Sequence, residues 1–251
     1  MAKIVIVKGI PSSGKTRHIL NRVAEAHRED PFSYLVLGPS GSFIRNLRER
    51  FLALVGNFFN DSFLLLDQYV VQFLLNRGDG GFYINRSFLA GFVAGKVREE
   101  HRLYPLLQRG QGMIDAFLQF YSWLKDHDAS ALLGEMEQTE DTLLKEFAGL
   151  YRIIDTQLRE KRLFTVEDAY YRVLDLIEKK AVQPQEVPYR KLFLDGFFDL
   201  TPKTRRFFYT FFCFFEEVYL SAPLNPDGSL MDLSFDAFET EPSHLRTFHR
   251  W

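Results

Sequence analysis

Residues Gly9-Ile10-Pro11-Ser12-Ser13-Gly14-Lys15-Thr16 fit the spacing G-x-x-x-x-G-K-[ST] at every fixed position. That spacing suits one chemistry, the cradling of a polyphosphate. A glycine-bounded turn between a strand and a helix aims several backbone N–H groups inward, and the helix start adds partial positive charge. In that frame Lys15 reaches the terminal phosphates and Thr16 ligates Mg2+. Arg17, the next residue, completes the predicted nucleotide-binding set, with ATP and Mg2+ as the expected ligands. Such a loop also needs a carboxylate at the end of a neighbouring strand, on the metal directly or through water. Asp195 in "LFLDGF" ends a strongly apolar run and fills that role, although Asp-Gly is also a common turn. The residue after it bears on catalysis. ATPases that hydrolyse usually place Glu there to orient the attacking water, and here it is Gly196. The expectation is binding with slow hydrolysis or none.

The elements around these residues are those the chemistry requires. "KIVIV" (Lys3–Val7) is a continuous β-branched run, the pattern of a parallel strand buried on both faces. From Lys15 the periodicity turns helical, with Ile19, Leu20, Val23 and Ala24 on one face. "SYLVLG" predicts a second buried strand, and "FIRNLRERFLALVG" a helix closed by Gly56. "SFLLLDQYVVQFLL" reads as a short strand running into a helix. After the turn-rich "NRGDGG" the signal is helical, over 87–101, 113–127, 141–161 and 166–180, with hardly any strand pattern. Thr165 caps the last of these, with Asp168 in its acidic first turn. A Pro-containing linker, 181–190, leads back to α/β character: a strand "KLFLDGF", a helix over Thr201–Glu217 with Pro202 at its first position, and a strand "VYLSAPL". The expected fold is α/β, a RecA-like P-loop NTPase parallel sheet (1–78 and 189–251) with an all-helical insertion (79–188). The terminal segment, with Ser243 as a candidate helix cap, reads as a chain cut mid-protein.

Composition narrows the classes. At 251 residues, 46% hydrophobic and 25% charged, the chain is an ordinary globular sequence. The net charge of −2 gives no global basic field for nucleic acid, so any such contact needs a local patch. The single cysteine, Cys213, excludes an internal disulfide and a cysteine-held zinc or Fe–S site from this chain alone. No targeting segment and no run of membrane-spanning length is visible, and the default compartment is the cytoplasm.

Several segments resemble, in order, the first motor domain of superfamily 1 helicases of the UvrD/Rep type. These are "GIPSSGKTR", "YLVLGPSGSFIRNLRER" with its ending at Arg45, Arg48, Glu49 and Arg50, "LLDQYVVQFL", and "LREKRLFTVEDAYYRVLDLI" leaving the insertion. "LFLDGFFDLTPKTRRFF" is similar to a segment of the degenerate helicase-like N-terminal region of the B subunit of AddAB/RexAB-type helicase–nucleases. The resemblance spans about residues 3–240. It implies an ATP-binding domain of a DNA double-strand-break-repair complex, with DNA and a helicase–nuclease partner subunit as partners. The departures fall on catalysis: Asp195-Gly196-Phe197-Phe198-Asp199 lacks the motif II Glu, and "SAPLNPDG" lacks the motif III Gln. Pro39 replaces a base-contacting Phe, while Ser40 keeps a phosphate-bonding hydroxyl. Ser40, Arg45 and Arg48 are the candidate DNA contacts.

Other readings compete at each point. An active ATPase or DNA helicase needs a base outside the motif II position. A P-loop small-molecule kinase predicts an Arg-rich lid, and the insertion has no clear Arg cluster. A scaffold keeps the loop as a relic. Lys203, Arg205 and Arg206, like Arg45, Arg48 and Arg50, form patches that suit DNA phosphates or simply a solvated helix face. Tyr121 and Trp123 suit base stacking or core packing. The Phe cluster at 207–215 reads as core, with Cys213 an inert buried thiol inside it.

Overall fold

A computed structural model describes residues 2–58, 60–78 and 81–230. In chain order the elements are β1 (Lys3–Gly9), α1 (Lys15–Glu29), β2 (Tyr34–Gly38), α2 (Gly41–Val55), β3 (Phe63–Leu65), α3 (Leu66–Arg77), β4 (Phe82–Tyr83) and α4 (Arg86–Glu99). They continue as α5 (Gln111–Asp126), α6 (Leu132–Gln138), α7 (Thr142–Glu160), β5 (Leu163–Phe164), α8 (Val166–Glu178), β6 (Lys191–Leu194), α9 (Pro202–Phe211) and β7 (Glu217–Pro223). The chain divides into two compact units, one of 1–70, 174–200 and 204–251, the other of 71–173 and 201–203.

The first unit is α/β. Among its described residues the strands form a parallel five-stranded sheet in the order β1-β7-β6-β2-β3. β2 and β6 are buried along nearly their whole length, as their unbroken apolar runs require. α1 lays Ile19, Leu20, Val23 and Ala24 on a core that also holds Tyr34, Leu47, Phe51, Phe63 and Phe193. α2 starts on Ser40, whose Oγ accepts from the Phe43 N–H, and ends on Gly56 with φ at 81°. α9 buries Phe207, Phe208 and Phe211.

The second unit is built on helices. Val93, Val97, Phe117, Tyr121, Phe147, Leu150 and Ile154 form its core. The predicted helices are present within two residues at each end.

Four expectations need correction. β1 is an edge strand that is half-buried over Ile4–Val7 and exposed at Lys3 and Lys8, not buried on both faces as its β-branched run suggests. The insertion carries a short parallel strand pair, β4 with β5, where strand signal is scant in sequence; two residues per strand are too few to show a period. It also carries α6, whose seven residues are too short for helical periodicity to stand out. α9 stops at Phe211 and gives way to a 3-10 turn at Phe212–Phe214, short of the expected Glu217. "FFCFF" holds no helix stop signal. The end is set instead by the sheet, where Glu217 pairs with Lys3 and Lys191. The Ser243 cap lies outside the described residues.

Candidate functional site

The Gly9–Thr16 segment joins the end of β1 to the start of α1. A strand must turn into a helix here within five residues, and the backbone reaches the left-handed region twice, at Ser12 (φ 63°) and Gly14 (φ 90°). Gly14 is the helix N-cap and makes no side-chain cap bond. An L side chain at that φ would be strained, so the second glycine of the motif is required by the turn itself. Lys15 Nζ folds back to donate to the carbonyls of Gly9 at 2.5 Å and Ile10 at 2.8 Å, which pins the loop around the ammonium. Burial draws the Lys15 ammonium below its ordinary value, while Asp195 pulls it the other way.

This loop forms one wall of a cleft of about 290 Å3 lined by Pro11–Arg17, Phe43, Arg50, Asp195, Gly196, Phe197, Phe198, Ser221 and Pro223. The opposite wall comes from the carboxyl ends of β6 and β7, the edge where ligands sit in parallel α/β sheets. β6 and β7 pair Leu194 with Leu220. One residue further on, the Ser221 Oγ–H donates to Asp195 Oδ1 at 2.6 Å, and the Gly196 N–H donates to the same oxygen at 2.9 Å. Asp195 is only 2% exposed. Its other oxygen, Oδ2, is buried with no hydrogen-bond partner among the described residues. A carboxylate oxygen held out of water without a donor is costly, and it calls for a cation or an ordered water. The cleft offers Lys15, Arg17 and Arg50 against this one carboxylate. A hard divalent cation takes oxygen donors of this kind, a hydroxyl and a carboxylate, together with phosphate. The donor set of Thr16 and Asp195 fits Mg2+, and among the described residues no cluster of three or more His, Cys, Asp or Glu offers another metal centre.

A scan against protein-family models matches none, and no curated protein sequence matches the chain.

Of the residues singled out in sequence, Pro11 to Arg17 and Asp195 come together in the cleft, and Gly9 and Ile10 contribute the carbonyls that hold Lys15. The three candidate DNA contacts do not line it. Ser40 is the α2 cap, and its Oγ accepts from Phe43 N–H at 3.3 Å. Arg48 is turned to structural work, its Nη2 donating to the Phe63 carbonyl. Arg45 stays exposed. The second basic patch also dissolves: Lys203 is buried and sits 2.6 Å from Asp126, and Arg206 pairs with Glu178 at 2.8 Å. Tyr121 is core, whereas Trp123 is exposed and stacks on His127. Cys213 is half-buried, not fully so, and burial pushes its thiol up to about 11. Sequence reasoning missed Phe43, Ser221 and Phe198 as cleft residues. Ser221 carries a signal, a hydroxyl inside an apolar strand, which needs the β6–β7 pairing to be read.

Proposed function

We propose that this chain binds Mg-ATP at the Gly9–Thr16 loop and holds it with little or no turnover. In this reading it is a catalytically degenerate, superfamily 1 helicase-like P-loop domain in a subunit of a DNA double-strand-break-repair helicase–nuclease, where the nucleotide is a structural or allosteric ligand. The observation that carries the nucleotide reading is the buried, unpartnered Asp195 Oδ2 in the same cleft as the motif loop. The helicase–nuclease context rests on the segment resemblance, above all Asp195-Gly196-Phe197-Phe198-Asp199-Leu200-Thr201-Pro202.

Each residue has a task in this reading. The loop N–H groups and the α1 start take phosphate oxygens. Lys15 leaves its own carbonyls for the terminal phosphates. Thr16 and Asp195 hold the metal, with Ser221 and the Gly196 N–H keeping Asp195 oriented. A divalent cation held there would supply neutralisation of phosphate charge. No carboxylate follows Asp195 to orient a water, and Asp199 is exposed.

Equilibrium titration with labelled ATP tests this. Mg2+-dependent binding is expected, weakened about a hundredfold in Lys15→Ala, the loss of charge-assisted bonds worth about 3 kcal/mol. Binding indifferent to Mg2+ and to Lys15→Ala would sink the proposal. A steady-state ATPase assay is expected to show little turnover. Fast turnover abolished by Lys15→Ala would place a catalytic base elsewhere in the cleft.

A further inference from the structure

Phe43 stands in the first turn of α2, and its ring lines the cleft. It rests on two glycines at the carboxyl ends of neighbouring parallel strands, Gly38 closing β2 and Gly196 following β6. A Cβ placed on Gly196 falls 2.6 Å from Phe43 Cζ, 2.7 Å from Cε1 and 2.8 Å from Cε2. A Cβ on Gly38 falls 3.1 Å from Phe43 Cδ1. Contacts under 3.0 Å mean that a side chain at 196 fits only if the Phe43 ring turns away from its place over the glycine. Gly196 is also left-handed, at φ 82°. The position that follows the buried aspartate is therefore disfavoured for a side chain twice, by backbone conformation and by an aromatic ring that must be displaced.

We infer that Phe43 is a plug which keeps a bound triphosphate intact: its ring fills the volume where a water and the residue activating it would stand. The inference rests on the ATP-binding reading above. Hydrolysis joins a water oxygen to the γ-phosphorus, breaks the bond to the β–γ bridging oxygen and hands the water proton to a base. At Gly196 there is no side chain to take that proton, and at Phe43 the ring keeps water and base out. The ring overlies Gly196, the residue after Asp195, and lines the same cleft as the loop. Loss of the motif II Glu alone would leave a site repairable by Gly196→Glu. A plugged site is repaired only when the ring is removed as well.

The test uses Phe43→Ala, Gly196→Glu, the double variant, and Phe43→Glu, which sets a carboxylate in the ring's place without strain at 196. Mg-ATP turnover is expected to stay near the wild-type level in Gly196→Glu. It should rise at least about a hundredfold in the double variant or in Phe43→Glu, the low end of what a positioned base supplies. Thermal unfolding without nucleotide gives a second reading. Gly196→Ala should lower the melting temperature clearly in the wild type and by less in the Phe43→Ala background, where only the backbone strain remains. Titration with labelled ATP runs alongside. If the wild type fails to bind ATP, the nucleotide reading falls and this inference with it. If ATP binds but neither carboxylate variant gains turnover, if Gly196→Glu alone gains it, or if the melting shifts are additive, the plug is overturned and the binding reading stands.

Discussion

Two lysine–carboxylate groups, one in each unit, are satisfied in opposite ways. In the helical unit, Lys125 is buried and donates to Asp168 Oδ1 at 2.5 Å, with Asp155 at 3.1 Å. Asp168 Oδ2 accepts from the N–H and the hydroxyl of Thr165, Asp155 is met by Arg159, and Tyr171 bonds the Lys125 carbonyl. Apart from the Tyr121 hydroxyl, this cluster closes on itself. In the α/β unit, Asp195 is deeper still, yet among the described residues one of its oxygens has no donor, and Lys15 is bonded to the carbonyls of its own loop. A cluster whose charges satisfy one another is scaffold. One that leaves a buried polar atom open at a cleft is a candidate site.

The sharpest way to break this distinction is to remove each lysine. Lys125→Met takes the shared cation from Asp155 and Asp168, leaving, among the described residues, Asp155 with Arg159 alone and Asp168 with none, and is expected to cost about 3 kcal/mol of unfolding free energy. ATP affinity of the folded protein should be unchanged. Lys15→Met loses two partly exposed bonds to loop carbonyls and should cost about 1 kcal/mol, while weakening ATP binding about a hundredfold. Denaturant unfolding and ATP titration on both variants read the two effects. If Lys15→Met unfolds the protein and Lys125→Met spares it, the assignment of scaffold and site is reversed.

Acid gives a second, smaller test. Burial raises the Asp168 carboxyl, but Lys125 outweighs it and holds the group below its ordinary value. A depressed carboxyl adds stability above its unfolded value near 3.8, and that stability is lost as pH falls through the lower folded value. Wild-type stability between pH 5 and pH 2 should therefore fall more steeply than that of Asp168→Asn. The difference in slope cannot exceed one proton's worth, about 1.4 kcal/mol per pH unit. Parallel curves would mean that Lys125 and Asp168 do not depend on each other.

The two regions also differ in how far sequence foretells them. The loop was legible because its chemistry is local: one strand, eight residues and one helix fix Gly14, Lys15 and Thr16 together. Asp195 was legible as the acid ending an apolar run. Its support was not, since Ser221 lies 26 residues on and meets it only through the β6–β7 register. Phe43 looked like one more apolar residue of an amphipathic helix, because periodicity reports that a side chain is covered and not what covers it. In the helical unit, Asp168 was readable as the partner of the Thr165 cap. Its tie to Lys125, 43 residues away, depends on packing that no local pattern encodes. α9 shows the same limit, its end set by strand pairing instead of by its own residues.

The smallest test concerns the start of α2, where three residues proposed for DNA contact divide between the two roles. Ser40 caps the helix and Arg48 bonds the Phe63 carbonyl, so both belong to scaffold. Ser40→Ala should cost about 1 kcal/mol, the usual worth of a cap. Arg48→Met should cost a similar amount by leaving that carbonyl without its donor. Arg45 is exposed, and Arg45→Ala should change stability by less than about 0.5 kcal/mol. Binding to a labelled single-stranded oligonucleotide at low salt then separates the residues by a different measure. If this helix contacts DNA, Arg45→Ala alone should weaken binding and flatten its salt dependence, because a phosphate contact acts through released counterions. Equal losses from all three variants would mean that the helix itself had been disturbed. A loss confined to Arg48→Met would move that arginine from the scaffold to the site.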